Sequence, residues 1–237
     1  MKAMIFAAGF GTRLKPFTDK HPKSLCKVNG VTLLERNIKY LKSYGFYSLV
    51  INVHYFADQI IHFLEQNNYF DCQIEISDER EKILETGGGI VKAQHLLEND
   101  DFLLMNADIL TNLNLNQLVE QHKKNNHLAT LAVLDRESSR KFLFSQENLL
   151  CGWENITTGE QKIAKIENEY KKLAFSGIHI VSPSIFPKIK QTGVFSITET
   201  YLDLAKTEAI FGFEHTNDLF VDVGTPASVL KAETLFK

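Results

Sequence analysis

Cysteine is scarce in this sequence. Cys26, Cys72 and Cys151 are its three, odd in number and scattered without metal-ligand spacing, which argues against both a disulfide framework and a zinc module. They read as small buried hydrophobes of a chain kept in a reducing compartment. An excess of either charge is also missing. A formal net charge of -3 gives no basic footprint for nucleic acid, so no nucleic-acid partner is expected, and a polyanionic ligand must be held by local cations. No stretch approaches the ~20 apolar residues of a bilayer span. Met1 leads straight into an apolar strand rather than into a charged start and apolar leader. The expectation is a cytoplasmic protein with no membrane partner. Internal repeats, low-complexity segments and flexible linkers are lacking as well, and the single tryptophan, Trp153, reads as packing rather than as a stacking platform.

What is present is apolar. Hydrophobic residues make up 44% of the 237, enough to fill a substantial core, and one domain over residues 1–237 is the simplest reading. Apolar, β-branched runs at 2–8, 48–53, 73–77, 102–106 and 129–134 alternate with helical patterns at 32–44, 57–67, 90–97 and 115–124. Strand, helix, strand in succession demands crossovers, which predicts a three-layer, Rossmann-like α/β fold: a mostly parallel sheet flanked by helices. Ligands of such sheets bind beyond the carboxyl ends of the strands. After residue 134 the pattern changes to short strands at 141–145, 149–153, 162–167 and 173–181, which predict a small antiparallel region walling a pocket. A helix at 197–208, strands at 210–214 and 220–223, and a last helix at 226–236 follow, Pro226 suiting an early helical position.

The first strand runs into Gly9-Phe10-Gly11-Thr12-Arg13-Leu14-Lys15-Pro16, and then into Pro22-Lys23. Glycines let the backbone turn sharply and bring its amides against anionic oxygens. Arg13 can fork two donors onto a phosphate, and Lys23 adds a mobile point charge. Two glycines alone are an ordinary turn as readily as a phosphate cradle, and neither the dinucleotide fingerprint nor the Walker A pattern is met. The longer string resembles the signature of the sugar-1-phosphate nucleotidyltransferases, matching G-x-G-[ST]-R-[LM]-x-P-x-T and then P-K at Gly9, Gly11, Thr12, Arg13, Leu14, Pro16, Thr18, Pro22 and Lys23. The resemblance spans nearly the whole chain. It implies a GT-A-type fold, a nucleoside triphosphate and a sugar 1-phosphate as partners, Mg²⁺ as cofactor, and a monomer or small homo-oligomer. It further implies a nucleotide-binding core over 1–135 and a sugar-binding part with the C-terminal helix over 136–237.

Two apolar strands end on carboxylates, at Asn106-Ala107-Asp108 and at Val221-Asp222-Val223-Gly224-Thr225. Such acids are either solvated turn or cap residues or, as a pair, hard oxygen ligands suited to Mg²⁺. The resemblance implies the second reading for both, although relatives often carry glycine where Ala107 stands. A sugar 1-phosphate already bears an anionic nucleophile, so no general base is needed. The chemistry reduces to bringing two polyanions together and neutralising charge on the departing pyrophosphate. Arg13, Lys23, Asp108 and Asp222 are the expected catalytic set, with Asp108 and Asp222 as the metal ligands.

The second glycine cluster, Leu84-Glu85-Thr86-Gly87-Gly88-Gly89-Ile90, precedes a helical pattern and reads either as a flexible turn with a cap or as a base-binding loop whose helix start offers free amides. The resemblance implies the latter, so Ala8, Gly9, Gly11, Thr12, Arg13, Thr86, Gly87 and Gly88 are the expected nucleotide contacts. ETGGGI is similar to the loop of N-acetylmuramate 1-phosphate uridylyltransferases, and mannose- and heptose-phosphate guanylyltransferases have related loops. For the sugar, the resemblance of FSGIH to a family segment implies Ser176 and Gly177, with Glu167 and Glu199 as further contacts or as plain surface acids. The basic stretch 138–142 faces solvent or meets a carboxylate-bearing sugar. His54, His62, His95, His122, His127, His179 and His215 form no ligand spacing and read as structural or surface residues. Two other functions share these features: the same fold acting on a different phosphorylated alcohol, and a non-catalytic nucleotide-sugar sensor or regulatory subunit.

Overall fold

The computed structural model describes residues 1–125 and 127–237. Its elements run in chain order β1 (Lys2–Phe6), β2 (Lys27–Val28), β3 (Val31–Thr32), α1 (Leu33–Ser43), β4 (Ser48–Val53), α2 (Ala57–Gln66), β5 (Gln73–Asp78), α3 (Glu85–Lys92), α4 (Gln94–Leu97), β6 (Phe102–Asn106), β7 (Ile109–Thr111) and α5 (Leu115–Asn125). Then follow β8 (Ala129–Leu134), β9 (Arg140–Phe144), β10 (Leu150–Asn155), β11 (Gln161–Ile163), β12 (Lys171–Val181), α6 (Ile197–Leu204), β13 (Ile210–Glu214), β14 (Phe220–Asp222) and α7 (Pro226–Leu235).

Strands β6, β1, β4 and β5 lie side by side and parallel, as the alternating pattern predicts. The inner strands β1, β4 and β6 are mostly apolar because both of their faces are covered, whereas β5 at the sheet edge alternates polar and apolar residues. Beyond β6 the strand at 129–134 keeps the same direction, but it is not the immediate neighbour of β6. The eleven-residue β12 inserts antiparallel between β6 and β8, and β8 carries β13 parallel on its other side. Length explains this: β12 pairs with β9 over 171–173, with β8 at 174–175 and 179–181, and with β6 over 178–181. One sheet therefore continues from the parallel strands into the antiparallel β9, β10 and β11, joining the two halves of the chain. The strand expected at 162–167 is shorter, ending at Ile163.

Three apolar clusters hold these layers. The first packs α1, α2 and α5 on one sheet face through Ile38, Leu41, Ile60, Leu64 and Leu118, and the second packs α3 and α6 on the other through Ile90 and Tyr201. The third bears on function. Leu14, Cys26, Val28, Leu33, Leu110, Val221, Val223 and Ala232 gather the glycine loop, the β2–β3 hairpin, the β7–β14 pair and α7 into one small core. Helix α7 is fixed there by a capping box, in which the Thr225 hydroxyl accepts from the Ser228 amide while the Ser228 hydroxyl accepts from the Thr225 amide.

Candidate active site

The carboxyl ends of β1, β4, β5 and β6 open onto a cavity of about 350 Å³, whose walls include Ala7, Ala8, Gly9, Lys23, Asn52, Glu79, Thr86, Asn106, Asp108 and Ser196. This is the strand-end position where ligands of parallel sheets bind. The two glycines of the first loop do different work. A β-carbon at Gly9 would meet nothing within 4 Å, so that residue leaves open space on the cavity wall. Gly11 has φ +62°, and a β-carbon there would lie 2.8 Å from Lys23 Cβ and 2.9 Å from Thr18 Cγ2. Its missing side chain lets the loop fold down onto Lys23, and the Thr18 hydroxyl fastens it by donating to the Gly11 carbonyl at 3.0 Å.

Lys23 stands at the start of a short 3₁₀ turn after the extended Pro22, and its ammonium is ion-paired with the Asp108 carboxylate. Asp108 ends the segment after β6. Asp222, distant in sequence, is brought beside it because β14 pairs antiparallel with β7, Asp222 opposite Ile109, and the Val223 amide donates to the Asp108 carbonyl at 2.8 Å. Burial, then the neighbouring Asp108 charge, push the Asp222 carboxyl above the usual carboxylate range; Lys23, Arg13 and Arg136 oppose this in part. Asp222 Oδ1 is buried without any hydrogen-bond partner. Arg13, two-thirds exposed, has its Nη2 only 4.0 Å from Asp222 Oδ2, a loose pair in which the guanidinium remains available to a ligand. Gly224 makes room for both, since a β-carbon there would sit 2.8 Å from Arg13 Nη2 and 3.0 Å from Asp222 Oδ1.

The expected residues thus fall into two groups. Ala8, Gly9, Lys23, Thr86 and Asp108 line the cavity, with Gly11 behind its loop, Thr12 exposed and the Arg13 and Asp222 pair linked to it through Lys23 and Asp108. Gly87 and Gly88 do not. The cluster expected as a loop before a helix is the helix α3 itself, and both amides are taken by the Phe195 carbonyl, at 2.9 and 3.3 Å. Tertiary packing overrides the poor helix propensity of glycine here: β-carbons would come within 2.3 Å of the Phe195 ring and 2.2 Å of the Gly193 carbonyl oxygen. Ser176 is likewise corrected as a sugar contact. Its hydroxyl is buried, donates to the Ala132 carbonyl at 2.6 Å and faces His215 Nε2 at 3.0 Å, so it is consumed inside the core. Gly177, at φ +73° in the β-bulge of β12, packs against Asn106 and shapes the cavity floor through it. Glu167 and Glu199 are exposed and lie off this cavity. Glu199 lines a separate one with Lys162 and Lys206.

Sequence reasoning missed Asn52, Glu79 and Arg136. Asn52 carried a signal, a lone amide inside the otherwise apolar strand SLVINV. Glu79 and Arg136 carried none; the latter's guanidinium rests over the Phe220 ring, 5.1 Å from its centroid, two residues from Asp222.

A cavity, two cations and two juxtaposed carboxylates thus stand together at the strand ends of an α/β sheet. The profile of the nucleotidyl transferase family matches residues 2–236, and the chain belongs to the sugar-1-phosphate nucleotidyltransferases. It is 29% identical, over 99% of its own length and 98% of the other's, to the N-acetylmuramate alpha-1-phosphate uridylyltransferase of Neisseria meningitidis. It is 28% identical to the mannose-1-phosphate guanyltransferase of Yarrowia lipolytica, all of this chain matching 64% of that one. Among solved structures, HddC from Yersinia pseudotuberculosis complexed with GMP-PN superposes with a TM-score of 0.80 at 24% identity, over 100% of this chain and 99% of that one. No helix among the described residues is long and apolar enough to cross a membrane.

Proposed function

We propose that the protein joins UTP and N-acetylmuramate 1-phosphate into the corresponding nucleoside diphosphate sugar, releasing pyrophosphate in one in-line displacement. The observation that carries the reaction scheme is the convergence of Lys23, Asp108, Asp222 and Arg13 at one end of the cavity. The Lys23 ammonium has three donors, of which Asp108 engages one, so it can hold the sugar phosphate oxygen on line with the α-phosphorus. Arg13 takes the charge that builds on the β- and γ-phosphates as pyrophosphate departs. The phosphate nucleophile is already ionised, so no side chain has to remove a proton.

The carboxylates fit a divalent cation. Asp222 Oδ1 is buried and orphaned, and its carboxyl is destabilised as an anion by burial and by Asp108, the condition a hard cation relieves. Among the described residues no cluster of three or more histidine, cysteine or acidic side chains could hold a metal by itself. Asp108 and Asp222 would therefore hold Mg²⁺ together with substrate phosphate oxygens and water, and the ion would supply charge neutralisation at the α-phosphate.

Similarity to the N-acetylmuramate alpha-1-phosphate uridylyltransferase over 98% of its length, against 64% for the mannose-1-phosphate guanyltransferase, supports this substrate pair. The test is pyrophosphate release from UTP, GTP, CTP and dTTP, each against N-acetylmuramate, mannose, glucose and heptose 1-phosphates. Turnover confined to GTP with mannose or heptose phosphate would reject the substrates and leave the reaction class standing. A chiral α-thio triphosphate tests the single displacement: inversion at phosphorus is expected, and net retention rejects it.

A further inference from the structure

We propose that Asn52 and Glu79 are a positioning pair that locks the two nucleotide-facing walls of the cavity to each other. The inference rests on the assignment of these walls to the nucleotide made above. Both side chains line the cavity and both are buried, Glu79 completely. The Ala7 amide, in the turn leaving β1, donates to Asn52 Oδ1 at 2.7 Å. That bond fixes the orientation of the side-chain amide, so Nδ2 points the other way and donates to Glu79 Oε1, also at 2.7 Å. Glu79 Oε2 then accepts from the Leu84 amide at 3.1 Å, at the entrance to α3. The relay thus runs from the glycine loop, through the ends of β4 and β5, to the segment carrying Thr86.

Its polarity is fully determined. Backbone amides at both ends can only donate, so an acceptor must stand at each end, and the middle must be one donor facing one acceptor. An amide followed by a carboxylate satisfies this. Gly89 provides the space: a β-carbon there would lie 3.0 Å from Glu79 Oε1 and 3.3 Å from Asn52 Nδ2. With the relay intact, the walls are set before the ligand arrives; with it broken, only a fraction of molecules is competent to bind and the apparent affinity falls by that fraction.

Swapping the two side-chain chemistries tests the relay. In Glu79→Gln, one acceptor must serve two donors. In Asn52→Asp, two carboxylate oxygens meet. The double variant N52D/E79Q restores every bond with the middle link reversed. Its carboxylate, now at position 52, accepts from the Ala7 amide and from the side-chain amide now at position 79, whose carbonyl oxygen accepts from the Leu84 amide. KM for UTP, with GTP as a second probe, should rise ~10-fold or more in each single variant and return to within ~3-fold of the parent in the double. KM for the sugar phosphate should stay unchanged in all. Parental nucleotide KM in folded single variants, no recovery in the double variant, or equal rises in both KM values overturns the proposal. Should a single variant fail to fold, Gly89→Ala crowds the pair without changing its polarity and must raise nucleotide KM selectively; an unchanged value overturns the proposal. Gly9→Val, whose side chain enters open cavity, distinguishes failure of the relay from failure of the wall assignment. If it leaves nucleotide KM unchanged, the assignment of the walls has failed; if it raises KM while the pair variants do not, the relay alone has failed.

Discussion

Gly11→Ala should destabilise the protein far more than Gly9→Ala, although the two glycines are separated by one residue. At Gly11 the backbone sits at φ +62°, where an L side chain costs about 1–2 kcal/mol. The new methyl would also lie 2.8 Å from Lys23 Cβ and 2.9 Å from Thr18 Cγ2, an overpacking that costs about 1–3 kcal/mol more. The sum is about 2–5 kcal/mol, or a fall in melting temperature of roughly 4–20 °C for a chain of this size. At Gly9 the backbone lies outside the left-handed region and the methyl meets nothing within 4 Å, so stability should hold or rise by about 0.4–1 kcal/mol. Urea unfolding and thermal melting of both variants check this. The reasoning is refuted if Gly11→Ala melts with the parent, or if the two variants fall equally. Turnover adds a second reading, because relief of the Gly11 clash moves Lys23 and thereby its ion pair with Asp108.

Asp108→Asn should abolish measurable turnover while nucleotide binding partly survives, as pyrophosphate release and equilibrium binding would reveal; undiminished release would remove this carboxylate from the mechanism. His179, fully buried with its Nδ1 3.1 Å from the Tyr201 hydroxyl, has its pKa lowered by burial from 6.5 to about 3. Unfolding therefore takes up a proton between these values, and stability declines as pH falls from about 6.5 towards 3. His179→Gln should flatten that decline by up to about 1.4 kcal/mol per pH unit, measured by urea unfolding across the range, and an unaltered slope would count against the burial argument. Thr225→Ala removes the acceptor of the α7 capping box and should cost about 0.5–2 kcal/mol in the same unfolding assay; no measurable loss would mean that α7 contributes little to the small core beneath the site.

Much of this architecture was legible from residue patterns because its signals are local. The strands at 48–53, 102–106, 129–134 and 210–214 have the expected bounds, since continuous apolar runs between turn residues leave little choice. The insertion of β12 was not legible, because pairing between distant strands leaves no mark on either alone. At the site, residue pattern put the glycine loop and both aspartates at strand ends, where the structure has them; their roles came only from the family resemblance. The failures concern packing. Gly87 and Gly88 look like a ligand loop, yet their missing side chains accommodate Phe195 and Gly193, and Ser176 looks like a sugar contact until Ala132 and His215 claim its hydroxyl. Glycine and serine say that something comes close without saying what.

The pairing of β7 with β14 carries a consequence for biosynthesis. On the ribosome, the parallel strands and Asp108 emerge long before Asp222, so an unfinished chain has only Lys23 to set against Asp108. On the proposed reaction scheme, turnover would wait until translation has passed Val223 and that region has left the exit tunnel, so the newborn polypeptide would stay chemically silent however well its first half has already folded.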